Sequence, residues 1–359
     1  NNTTMKKSFL TILAAAISFG ATAAPDGGMS PRIGDGGRVS FAVPAPETLD
    51  SMTVRGLPCG PLPLTFSDGA WRAETVLPSN YYDYWITAAG GIRMLDGANP
   101  QRVRDVATTF SYFIVPGGEG DVYAAHDTAR GTLTDVSFPS ATLGAPRRMS
   151  IYTPAGYRTG DSLPVLYLLH GTGGDAEAWP TLGRAAQILD NLIASGEAVP
   201  MIVVMPDSNP IRDDSIERSF HEIMDYVARH YPGCGVDAST TAIAGLSRGG
   251  FQTFHTAKEF PGRFGYIAIF SGLFTPEPQH EGSVVTENMD AKIAALFGAG
   301  PRMMRVYIGS DDFLYDENVK WRAYFDEHGF DYDYIESDGG HTWQNWRRYL
   351  RSLAPALFR

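Results

Sequence analysis

Gly245-Leu246-Ser247-Arg248-Gly249-Gly250 is the stretch whose residue types point most directly to chemistry. A serine hydroxyl is a weak nucleophile until a base takes its proton, and a strained strand-to-helix turn can hold it exposed for that purpose. Glycines two residues to either side let the backbone pass close to such a turn. The pattern alone is weak, because a tight turn with a buried serine has the same spelling. Its setting strengthens it: strand-like Thr241–Ala244 precedes the motif and helix-like Phe251–Glu259 follows.

A hydrolase built on this turn needs an acid and then a histidine, both after the serine in chain order. Of the eight histidines, His126, His170, His221 and His230 precede Ser247. His255 falls two turns into the helix after the motif, His280 lies in a loop rich in Pro and Glu, and His328 closes a helical segment. His341 alone sits in a glycine-flanked loop, Gly339-Gly340-His341, after the last strand-like run, Tyr332–Glu336. A loop at the C-terminal edge of a sheet can carry an imidazole to the serine. The acid is expected just past the preceding strand, in Ile308-Gly309-Ser310-Asp311-Asp312-Phe313, with Asp312 preferred and Asp311 the alternative.

Two backbone N–H groups must face the developing oxyanion. One is expected from Arg248, after the serine, and the other from Thr172 in Leu169-His170-Gly171-Thr172-Gly173-Gly174. That glycine-rich run lacks both a Walker ending and GxGxxG spacing, so a phosphate cradle is not expected. No HExxH, paired-cysteine or EF-hand pattern is present, and neither metal nor cofactor is expected. Trp179, Phe313 and Trp343 flank these motifs as candidate substrate contacts, with core burial the competing role.

The elements that must position these residues show two rhythms. From about Arg32 to Gly117 short alternating runs such as Val39–Val43, Ser51–Leu57, Trp71–Leu77, Tyr81–Ala88 and Phe110–Val115 are separated by turn residues, which suggests a β-sandwich. After Gly131 nearly continuous apolar runs appear at Pro164–His170, Ile202–Met205, Thr241–Ala244, Tyr266–Phe270 and Arg305–Ile308, with a further strand at Arg148–Tyr152. Such runs are buried on both faces, as in a parallel sheet covered by helices. Helices are expected between and after them, at about Thr181–Ser195, Ser215–His230, Gly249–Glu259, Met289–Leu296, Glu317–His328 and Thr342–Leu353. The expected organisation is a signal peptide over 1–23, a β-sandwich over 24–117, a polar linker over 118–128 and an α/β domain over 129–359.

The leader reading rests on Met5-Lys6-Lys7, the apolar run Ser8–Gly20 and the small residues Ala21-Thr22-Ala23, with residues 1–4 given no structural weight. It implies an exported product, secreted or periplasmic, with no membrane association after cleavage. The 359 residues carry 29 Lys+Arg against 40 Asp+Glu, a net charge of −11, and loss of residues 1–23 removes two lysines more. So acidic a chain has little to gain on a phosphate backbone, and a nucleic-acid partner is not expected. Two isolated cysteines, Cys59 and Cys234, are too few for a disulfide framework and are taken as free.

Four ordered motifs carry a family resemblance: Leu168-Leu169-His170-Gly171 with Gly173-Gly174; Ala244-Gly245-Leu246-Ser247 with Gly249-Gly250-Phe251; Asp312-Phe313-Leu314-Tyr315; and Gly339-Gly340-His341-Thr342-Trp343 with Trp346-Arg347. Over about Gly131–Phe358 the chain resembles the secreted esterase-D and feruloyl-esterase type of α/β-hydrolase, carbohydrate esterase family one. The resemblance implies an α/β-hydrolase fold, with a mostly parallel central sheet and helices on both faces. It also implies Ser247 as nucleophile, Asp312 as acid and His341 as base. The implied substrates are acyl esters of plant cell-wall polysaccharide, feruloyl first and acetyl next. Acyl transfer to a sugar hydroxyl, or an inactive glycan-binding protein, are the competing readings. Arg38–Phe41, Gly69-Ala70-Trp71, Tyr82–Trp85 and Leu95–Pro100 resemble the immunoglobulin-like module of glycogen-branching enzymes, in which Trp71 and Trp85 are either core residues or sugar platforms. Two departures stand out. Arg248 replaces the usual Met or Gln, and is expected to pair with a neighbouring acid rather than to meet substrate. The stretch Pro206–Asp214 is short, which implies a more open cleft.

Overall fold

The computed structural model describes residues 28–209 and 214–359. The expected leader and residues 210–213 of the short stretch after Pro206 lie outside the described residues.

The described residues divide into two compact units, one running up to Val76 with Tyr84–Pro100, the other Leu77–Asp83 with the residues from Gln101 onward. Nine strands come first: β1 (Arg32–Ile33), β2 (Arg38–Val43), β3 (Met52–Arg55), β4 (Leu62–Ser67), β5 (Ala70–Val76), β6 (Asn80–Ala88), β7 (Arg93–Met94), β8 (Arg102–Asp105) and β9 (Thr108–Val115). The first unit is antiparallel, in the order β1-β2-β5-β4-β3-β6 with β7 on β6. Its strands alternate as their sequences require: Val39, Phe41 and Val43 point into the core while Arg38, Ser40 and Ala42 do not. Trp71 is buried there with its indole N–H on the Pro46 carbonyl, and the Trp85 ring is covered by the Arg93 guanidinium 4.5 Å from its centroid. Trp71 is therefore a core residue.

The second unit is built on eight strands: β10 (Thr132–Ser140), β11 (Ala145–Thr153), β12 (Val165–Leu169), β13 (Ile202–Pro206), β14 (Thr241–Leu246), β15 (Tyr266–Phe270), β16 (Met303–Gly309) and β17 (Asp333–Ser337). They lie in the order β10-β11-β13-β12-β14-β15-β16-β17; the first two pairings are antiparallel and the rest parallel. Helices α1 (Glu119–Tyr123), α2 (Ala178–Thr181), α3 (Ala185–Ala194), α4 (Ser215–His230), α5 (Arg248–Glu259), α6 (Met289–Gly298), α7 (Tyr315–Glu327) and α8 (Trp343–Leu353) complete it. The continuous apolar strands split by alternation between two cores. Leu166, Leu168, Val203, Ala244 and Phe270 meet α3 and α8 on one face, while Val165, Tyr167, Val204, Ile243 and Ile269 meet α4–α7 on the other. This is the α/β-hydrolase architecture, with helices on both faces of a mostly parallel sheet.

Three local expectations change. The segment 118–128, expected as a polar linker, holds helix α1, whose Tyr123 is fully buried in the core beneath α3 and α8. A few apolar side chains with a large buried partner outweigh local glycine content. The expected division at 117 also shifts, because the β8–β9 hairpin and Leu77–Asp83 associate with the second unit. The helix expected over Thr181–Ser195 is two pieces, α2 and α3. Gly183 passes so close to Trp179 that a Cβ there would lie 2.4 Å from its ring, and Arg184 takes φ +54° where the chain turns. Cys59 and Cys234 are free thiols, one exposed and one buried.

Candidate active site

Ser247 follows β14 and caps α5 at φ +53°, ψ −119°, a backbone conformation that costs a non-glycine residue about 1–3 kcal/mol. The flanking glycines show what holds it. A Cβ on Gly249 would lie 2.3 Å from the His170 carbonyl oxygen, and one on Gly245 would lie 2.2 Å from the Gly249 oxygen. The Ser247 N–H donates to the Phe270 carbonyl (2.8 Å), which ties the turn to β15.

His341 reaches this serine from the loop between β17 and α8. Its Nε2 is 2.9 Å from Ser247 Oγ, and its Nδ1 is 3.0 Å from each Asp312 carboxylate oxygen. Nδ1–H therefore donates to Asp312 and leaves Nε2 to accept the serine proton. The loop is held by Asn345, a buried residue of α8 whose amide donates to the Asp338 and Gly340 carbonyls, both at 3.0 Å. Gly339 (φ +80°) accepts from the Asp311 N–H, and a Cβ on Gly309 would strike its carbonyl oxygen at 2.2 Å. Trp346 presents its edge to the imidazole at 5.0 Å, and Phe313 covers another side at 4.4 Å.

Asp312 follows β16 with its carboxylate fully buried, and accepts the Leu314 N–H at 2.9 Å. Burial pushes its carboxyl up, but the hydrogen bonds from His341 and Leu314 outweigh that and hold it below the ordinary carboxylate value. Asp311, the sequence alternative, is exposed, and Asp312 is the one of the two that hydrogen-bonds His341.

The loop after β12 approaches the serine from the other side. A Cβ on Gly171 would lie 3.3 Å from Ser247 Cβ, and the next residue, Thr172, is exposed. Arg248 is the first residue of α5, where helix N–H groups point outward along the axis. His170 shapes the loop: Nδ1–H donates to the Gly171 carbonyl at 2.7 Å, and Nε2 accepts the Ser208 N–H at 2.9 Å. Gln252 on α5 donates to the Ser208 carbonyl at 2.8 Å and completes the buttress. His170, Gln252 and Asn345 were not singled out from sequence for these roles; only His170 fell inside a recognised motif.

Of the three aromatic candidates, Trp179 is removed from the list. It is 1% exposed, with its indole N–H on the Leu169 carbonyl at 3.0 Å and its ring edge-on to Phe270 and Trp343. It fills the core under the loop after β12 and has no face left for substrate. Trp343 is half-buried, and Phe313 is 75% exposed. The Arg248 charge lies within reach of Glu217 on α4, a carboxyl that burial drives up to about 8 against the opposing pull of its own backbone N–H and of Arg248.

The strand order and the strained serine turn at the C-terminal end of a parallel strand define an α/β-hydrolase. Residues 140–357 match the family model described as "Putative esterase", and the chain belongs to that esterase family. It is 27% identical over 352 residues to an endo-1,4-beta-xylanase/feruloyl esterase of Xylanibacter ruminicola, covering 92% of this chain and 46% of that protein. The chain thus spans about half the length of that relative. It is 25% identical over 226 residues to an acetyl esterase of Caldicellulosiruptor saccharolyticus, covering 53% of this chain and 81% of the other. Among solved structures, the enterobactin esterase of Shigella flexneri aligns over 89% of this chain and 92% of its own, with a TM-score of 0.65 at 19% identity. A CE1 ferulic acid esterase from Anaeromyces mucronatus aligns over 66% of this chain and 93% of its own, with a TM-score of 0.57 at 20% identity.

Proposed function

We propose that this protein is an exported serine carboxylic-ester hydrolase acting on acyl esters of plant cell-wall polysaccharide, feruloyl esters first and acetyl esters next. The observation that carries the catalytic part is the unbroken hydrogen-bond chain from Ser247 Oγ through His341 to Asp312. The substrate class is supported by the kinship with a xylanase/feruloyl esterase and an acetyl esterase.

In this reading His341 Nε2 accepts the Ser247 proton as Oγ attacks the ester carbonyl. The negative charge moves onto the carbonyl oxygen, which the N–H groups of Arg248 and Thr172 receive. Asp312 stabilises the imidazolium, which then protonates the leaving alcohol, and water repeats the sequence on the acyl-enzyme. Phe313 and Trp343 stand beside the histidine as substrate contacts. No cofactor or metal enters these steps. Export rests on the leader pattern in residues 1–23. Glycan contact by the first unit is left to the half-buried Trp85, since Trp71 is core.

Ser247→Ala tests the reading. Hydrolysis of methyl ferulate, acetylated xylan and p-nitrophenyl acetate is expected to fall by roughly a thousandfold or more with circular dichroism unchanged. Undiminished turnover of all three would overturn it. Transfer of the acyl group to added xylo-oligosaccharide in preference to water would identify an acyltransferase instead.

A further inference from the structure

The tip of the β8–β9 hairpin lies against the loop that brings Thr172 to Ser247. A Cβ built on Gly173 would sit 3.1 Å from both methyl carbons of Val106, so the two chains touch there without room for a side chain. Arg104 anchors the tip on that side: its guanidinium pairs with Asp175 and reaches Glu177 at 3.4 Å, both just past the loop, and also donates to the Val106 carbonyl at 2.7 Å. On the other side Asp105 lies near Trp343, the first residue of α8 and two residues after His341. Arg104, Asp105 and Val106 thus meet the loop after β12 and the start of α8.

Val106 itself is placed against the ordinary preferences of its type. It holds φ +51°, a region that β-branched residues rarely occupy, and its side chain is 47% exposed. A glycine or asparagine would make this two-residue turn without strain. An apolar side chain held in an unfavourable conformation, against the loop after β12, calls for a role beyond folding.

We infer that the β8–β9 tip is a wall of the substrate cleft and that Val106 is a specificity-determining residue, contacting the acyl group of bulky esters. This rests on the esterase reading above. The leaving oxygen takes its proton from His341, so the alcohol lies on the imidazole side beside Phe313. Val106 stands over the loop that meets the carbonyl, against the acyl substituent. Its two methyl groups offer an apolar contact that a planar aromatic acyl group fills and an acetyl group is too short to reach.

The test compares 4-nitrophenyl ferulate with 4-nitrophenyl acetate, which share a leaving group and differ only in the acyl part. Val106→Gly removes the methyl groups and suits the positive φ, so its Tm is expected to match or exceed that of the wild type. The ratio of kcat/KM for ferulate over acetate is expected to fall about tenfold, mainly through KM for the ferulate ester. The ratio is independent of the amount of folded enzyme, so a loss of protein cannot mimic the effect. Val76→Gly, at an exposed position of β5 in the first unit, serves as the control and is expected to keep the wild-type ratio. A Val106→Gly ratio within twofold of the wild type, or an equal shift in the control, overturns the role of the hairpin alone. A wild-type chain that cleaves neither ester overturns the esterase reading and the role of the hairpin with it.

Discussion

Asp311 and Asp312 are adjacent carboxylates of one loop, and their difference is one of burial. Asp312 is enclosed and accepts from His341 and Leu314, whereas Asp311 faces solvent with only its backbone N–H engaged, on the Gly339 carbonyl. An amide at 312 can present a donor to Nδ1, which favours the tautomer with the proton on Nε2 and leaves no acceptor for the serine. Asp312→Asn is therefore expected to lower kcat by roughly a thousand- to ten-thousandfold in a steady-state ester assay. Asp311→Asn is expected to keep wild-type turnover, and equal losses in the two variants would remove Asp312 from its assigned role.

At the scale of elements, the pairing of α4 with α5 sets a pH response. Glu217 is buried on α4, where no other described residue hydrogen-bonds its carboxylate oxygens, and burial raises its carboxyl to about 8 from the ordinary 4.5. Between those values the folded chain keeps a proton that the unfolded chain releases. Stability is thus fully present below about 4.5 and declines as pH rises towards 8. Glu217→Gln cannot release that proton, so its Tm is expected to match the wild type near pH 5 and to exceed it by roughly 5 °C or more at pH 8. Parallel melting curves across this range, followed by circular dichroism, would remove Glu217 as the cause.

The whole second unit depends on residues that precede its sheet. Arg347 of α8 is almost fully buried; its guanidinium lies 4.3 Å from the Tyr81 ring and 5.5 Å from the Tyr123 ring, and it donates to the Leu182 carbonyl at 2.8 Å. Asn191 on α3 donates to the carbonyls of Asp121, Val122 and Ala124, and Arg184 to that of Tyr123. Removing those partners takes away the aromatic cover of Arg347, the hydrogen bonds of Asn191 and Arg184, and the apolar area that Tyr81 and Tyr123 bury, which costs several kcal/mol. A chain reduced to 129–359 is expected to lose about 10 °C or more in Tm, or to aggregate, relative to a chain beginning at residue 28. Equal melting temperatures would show that the later residues fold independently.

What the sequence determined by itself is local and periodic. Continuous apolar runs specified buried parallel strands, glycine spacing specified the strained turn at Ser247, and chain order left His328 and His341 after serine and acid, of which only His341 sits in a glycine-flanked loop. These signals survive in one dimension because backbone sterics and strand alternation act over a few residues. Tertiary structure alone decided which of two adjacent aspartates is enclosed, that Trp179 fills the core, that 118–128 holds a packed helix and that Val106 lies against Gly173. Each of these depends on which distant surface excludes water from a side chain, and that is set only when the chain has closed on itself.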